Sequence, residues 1–153
     1  MDNKNLVGRC GLYCGACIIY RAGKDSEKLR RTIAEREKCK PEDIRCEGCQ
    51  TVLVDGWNSK EWGKNCNIVK CLNARGLNFC CECNAYLNCE KFRYLADSCL
   101  KHDENLMENL DKIKAGKVDE WLEEKNKRWR CKSCGKPIAM HLTECHWCEA
   151  KIR

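Results

Sequence analysis

The chain has 153 residues, a formal net charge of +6, 34% charged residues, only 2 Phe and as many as 17 Cys. Such a composition excludes a large apolar core, and no stretch approaches the ~20 apolar residues that a membrane span requires. The positive charge does not point to nucleic acid. A zinc ion held by four thiolates carries a net charge of about −2, so three such sites would cancel it.

The first residues, Met1 to Val7, lack the apolar run of a secretory signal. The cysteine count is odd and the cysteines fall in Cys-x-x-Cys pairs, which suits metal in a reducing cytosol better than disulfides. The first motif places Cys10, Cys14 and Cys17 around two glycines, and Gly15 is expected to ease the turn through a positive φ. Ile18 to Tyr20 follow as a short helix or an extended segment. Asp25 or Ser26 caps a helix that runs through Leu29 and Ile33 to about Lys38, with a solvated charged face, and Pro41 ends it. Cys46 and Cys49 form a second metal-type turn. Thr51 to Val54 has β propensity, and Asp55-Gly56 signals a turn. Trp57 and Trp62 flank a polar loop and read as covers for a metal site.

Asn65 caps a helix carrying Cys66, Ile68, Val69, Cys71 and Leu72, with Gly76 as its stop. Cys80, Cys81, Cys83 and Cys89 come next. Phe92, Leu95, Ala96 and Cys99 share a helical face between Glu90 and about Leu100, which makes Cys99 a buried apolar residue. Asp103 reads as the cap of a helix with Leu106, Met107, Leu110 and Ile113, stopped by Gly116. Val118 to Lys127 forms a further helix, with Trp121 and Leu122 inward. The last segment pairs Cys131 and Cys134 with Cys145 and Cys148. Two such knuckles ten residues apart form a four-thiolate zinc ribbon. His141 and His146 are not needed as ligands there.

Outside the ribbon, Cys46, Cys49, Cys66 and Cys71 can satisfy one ion. Cys10, Cys14 and Cys17 then join Cys80, Cys83 and Cys89, as two zinc ions with shared thiolates or as one iron–sulfur cluster. Cys39, Cys81 and Cys99 fit no ligand spacing. Cys-x3-Cys-x2-Cys is also the spacing of radical S-adenosylmethionine enzymes, whose partial α/β barrel this length and pattern cannot supply.

These motifs together resemble the family known as domain of unknown function 3795. The resemblance rests on the Cys10–Cys17 loop, Cys46-x-Gly-Cys49, Cys66-x-Ile-x-x-Cys71, Gly76, Cys80-x-x-Cys83 and Cys89. Asn109-Leu110, Gly116, Trp121-Leu122 and Arg128-Trp129 resemble the family's extended form, which ends in a ribbon. The resemblance implies metal binding and a prokaryotic cytosol, and lends no activity.

The expected architecture is a small, metal-stabilised α+β protein. It comprises a cysteine-rich module over 1–100, a helical connector over 101–128 and a zinc ribbon over 129–153. No Ser/His/Asp set, phosphate-binding glycine loop or His-Glu-x-x-His helix is present. The expected function is a non-catalytic zinc-binding adaptor, and the alternative is an iron–sulfur protein with a redox or enzymatic role. Arg128, Arg130, Lys132, Lys136, Lys151 and Arg153, among Trp129 and Trp147, either contact RNA or a protein partner or simply keep the ribbon soluble.

Overall fold

The computed structural model describes residues 3–51 and 62–153. Six α-helices carry the fold among these: α1 (Ile18–Asp25), α2 (Glu27–Glu37), α3 (Asn67–Arg75), α4 (Glu90–Leu100), α5 (Leu106–Lys114) and α6 (Val118–Arg128). Single turns of 3-10 helix, at Cys14–Ala16 and Cys80–Glu82 among others, hold the cysteine loops. The architecture is helical, which corrects the α+β expectation. Extended pairing among the described residues is limited to isolated bridges, Val7 with Tyr13, Arg130 with Pro137 and Glu144 with Lys151. The reason is local. Each cysteine turn reverses the chain within a few residues, so its arms meet once and part before a ladder can grow. The strand expected at Thr51 to Val54, the turn at Asp55-Gly56 and Trp57 fall, from Val52 onwards, outside the described residues.

Helix ends follow the local chemistry. Ser26 caps α2, its side chain accepting from the Leu29 N–H at 3.3 Å, and Lys38 closes the helix in the left-handed region. Gly76 does the same for α3 at φ 66°. The cap of α5 is Asn105 and not Asp103: the Asn105 side chain accepts from the N–H groups of Met107 and Glu108. Asp103 sits two residues earlier at φ 60°, in the reversal between α4 and α5.

The main hydrophobic cluster joins the chain start, from Val7 to Ala16, to α3 through α6 and Met140. Leu106, Leu110, Ile113, Trp121 and Leu122 are buried in it, while Leu95 is partly buried. A smaller cluster fills the space between α1 and α2, where Ile18, Ile19, Leu29, Ile33 and Ile44 meet Ala139.

A polar network crosses the main core. Glu104 is fully buried and pairs with Lys125 Nζ at 2.6 Å. Its carboxylate also accepts from Asn109 Nδ2 at 2.6 Å and Trp129 Nε1 at 2.8 Å. Asn109 donates in turn to the Gly11 carbonyl at 2.9 Å and accepts from Trp121 Nε1 at 3.0 Å. The first cysteine loop is thereby tied to α5, α6 and the approach to the C-terminal knuckles. Gly11 is essential to that approach, because at φ 89° a Cβ would meet the Leu106 carbonyl oxygen at 2.7 Å.

Candidate metal centres

The two C-terminal knuckles repeat one backbone design. In the first, the Cys131 N–H donates to the Lys136 carbonyl and the Gly135 N–H donates back to Cys131. In the second, Cys145 bonds to Ala150 and Glu149 bonds back to Cys145. Gly135 and Glu149, at equivalent positions, both adopt positive φ. The result brings Cys131, Cys134, Cys145 and Cys148 together, with all four sulfurs within 4.8 Å of one another. Two of the separations, Cys131 to Cys148 and Cys134 to Cys145, are 3.7 Å. A tetrahedron with metal–sulfur bonds of about 2.3 Å has edges of about 3.8 Å. The group is therefore able to hold a metal ion.

The electrostatics of these thiols fit that capacity. The backbone N–H of Cys134, then that of Ser133, stabilises the Cys131 thiolate and pulls it down to about 6. Cys148 gains an N–H from Ala150, but burial and the other three crowded thiols push it up to about 12. One ionised sulfur thus discourages the next until a cation compensates them.

His146 and His141 lie outside this group. The Nε2 atom of His146 bonds to Asp25 Oδ2 at 2.9 Å, and both side chains are 7% exposed. This contact docks the C-terminal knuckles on the end of α1, beside the Arg21–Asp25 pair. The Met140 N–H donates to the Ala16 carbonyl at 2.9 Å and adds a second fastening. His141 stacks on His102 with ring centroids 4.5 Å apart, and burial, then His102, pushes it down to about 4.

Near the N-terminus, Cys14, Cys17, Cys46 and Cys49 share one neighbourhood. The Cys14 sulfur accepts from the Cys49 N–H and also feels the Cys17 and Cys46 thiols. Burial pushes Cys46 up to about 11, with Cys17 and Cys49 adding to the shift. Burial likewise raises Cys49, against a bond from the Arg9 N–H. Cys46 and Cys49 thus lie beside Cys14 and Cys17, and Cys49 also lies near Cys66, its partner in the set expected from spacing. The cause is the docking of the second knuckle on the chain start. Asn5 Nδ2 donates to the Glu47 carbonyl at 2.6 Å and Gln50 Nε2 to the Val7 carbonyl at 2.8 Å. Gly48, at φ 105°, lies so close to Asn5 that a Cβ would fall 1.9 Å from its carbonyl oxygen. Gly15, by contrast, is not among the glycines of positive φ; its side-chain space is filled by the Tyr13 ring.

A third set lies between α3 and α4. Cys71, Cys80, Cys83 and Cys89 line one small cavity of about 30 Å³. Burial pushes the Cys80 thiol up to about 12, and Cys89 and Cys71 add to the shift. Cys10 is buried within reach of Cys49, Cys99 and Cys80, and Cys66 is near both Cys49 and Cys80, so these two thiols stand between the N-terminal sets. Cys81 and Cys99 belong to the main core and Cys39 packs beside the smaller one. Trp62 is 37% exposed. The polar residues Glu104, Asn109 and Lys125 were not legible as a unit from spacing. The available signal was Lys125, which lies four residues after Trp121 on the inward face of α6.

These features define a cysteine-rich helical protein with a four-cysteine group able to hold a metal ion. Within that class the chain belongs to the family described as Protein of unknown function (DUF3795), whose family model matches residues 6–94. The C-terminal knuckles lie beyond that match. No curated protein and no solved structure matches the chain. No helix among the described residues is long and apolar enough to cross a membrane.

Proposed function

We propose that the protein is a zinc-binding adaptor of a prokaryotic cytosol, with a structural zinc at Cys131, Cys134, Cys145 and Cys148. The observation that carries this reading is the pair of 3.7 Å sulfur separations, which suit a single tetrahedral ion. On this reading residues 1–100 form the cysteine-rich module, 101–128 the connector and 129–153 the ribbon that meets a partner.

A protein partner is favoured over RNA by what the basic residues already touch. Arg128 donates to the Asp103 carbonyl, Arg130 to Asn126 and Gly135, and Arg153 to the His102 carbonyl. Trp129 is buried, and Lys136 covers the Trp147 ring at 4.6 Å. Three of the basic side chains are thereby held against the protein's own backbone, which leaves Lys132 and Lys151 as the exposed cations without either contact.

The test is elemental analysis of the full chain and of the variant Cys134→Ser/Cys148→Ser. About one zinc per chain should be lost in the variant. Unchanged zinc content would overturn the reading, and a salt-sensitive gel shift with transfer RNA would reverse the choice of partner.

A further inference from the structure

The cavity between α3 and α4 has a different spacing from the ribbon, and the difference is chemical. Its four thiols come from separate elements: Cys71 from within α3, Cys80 and Cys83 from the two ends of a 3-10 turn, and Cys89 from the cap of α4. Among the described residues, the four ribbon sulfurs are the group of ligand atoms that all lie within 4.8 Å of one another. The cavity thiols surround a common space without closing to that distance. Such a set is more widely spaced than the four ribbon sulfurs. It suits a centre in which several irons and bridging sulfides stand between the thiolates.

From this arrangement we infer that Cys71, Cys80, Cys83 and Cys89 ligate a cuboidal iron–sulfur cluster. The surrounding side chains serve that role. Ile68, Leu72 and Phe92 form apolar walls, which keep water from the bridging sulfides. Arg75 and Lys91 line the same cavity, and Arg75 Nη1 lies 3.8 Å from the Cys83 sulfur. A cation beside a ligating sulfur offsets the net negative charge of a four-thiolate cluster, and it favours the reduced state, which carries one negative charge more. The site is separate from the ribbon zinc and stands whether or not that zinc is confirmed.

The full chain is reconstituted anaerobically with ferrous iron and sulfide, beside the variant Cys71→Ala/Cys83→Ala. Iron, acid-labile sulfide and visible charge-transfer absorption are read together. The variant should hold about four fewer irons and about four fewer sulfides per chain, with ribbon zinc unchanged. A second measurement needs no variant. In the loaded wild type, alkylation mapped by mass spectrometry should find Cys71, Cys80, Cys83 and Cys89 protected together, and exposed together once the cluster is oxidatively removed. Equal iron and sulfide in wild type and variant overturns the inference. So does protection of these four thiols by zinc alone but not by iron with sulfide. Protection of Cys131 to Cys148, scored in the same map, reports on the zinc ribbon independently.

Discussion

Glu104 has no solvent and three side-chain partners, so its removal cannot be offset by water. In Glu104→Ala, the Lys125 ammonium and the indole N–H of Trp129 lose their acceptor inside the core. Removing one partner of a buried ion pair costs about 3–5 kcal/mol, and a denaturant titration of the variant should show a loss of that size. Cys99 makes the opposite kind of prediction, one of pH. Burial pushes its thiol up to about 12, and the nearby Glu104 adds to the shift. Because the folded thiol holds its proton more tightly than the unfolded one, its contribution is complete below about pH 9. It is lost as pH rises towards 12. The metal-loaded protein should therefore weaken between about pH 9 and 12 in denaturant melts. The variant Cys99→Ala should show a shallower decline over the same range.

Among the elements, the second knuckle depends on one glycine for its seat. Gly48→Ala places a Cβ against the Asn5 backbone and strains a residue at φ 105°. The strained backbone alone is worth about 1–3 kcal/mol. The knuckle should lift from the chain start, and Cys14 and Cys49 should alkylate faster. Gly76 is the control: at φ 66° with nothing near its Cβ, Gly76→Ala should cost only about 1–2 kcal/mol and leave thiol reactivity unchanged. The same contrast explains what the sequence could tell. Helices α2, α3, α4 and α6 were legible because capping residues, stop glycines and apolar spacing act within one turn. The four-cysteine group was legible because both knuckles lie within 18 residues of chain and complete each other. The approach of Cys49 to Cys14 was not, since it follows from Asn5 and Gln50, which carry no motif. Strand propensity also misled, because short arms around a knuckle form one bridge where a ladder needs several.

Short helices such as α1, with 8 residues, and α5, with 9, are marginal in isolation. Thiolate binding of a structural zinc supplies on the order of 10 kcal/mol, and that binding free energy is folding free energy. Chelation should accordingly reduce helical circular dichroism and open the chain to protease. Retention of both signals after complete metal removal would show that the helical core stands without the thiolate centres.

The contact between Asp25 and His146 also has a consequence in time. The two residues are separated by 121 positions, so ribosomes emit the second on the order of 10 s after the first. Ala16, likewise, waits for Met140 to supply its hydrogen bond. Throughout synthesis of the intervening residues the Cys14–Ala16 turn and the end of α1 therefore stand without these two contacts. Both form only once the segment carrying Met140 and His146 has emerged.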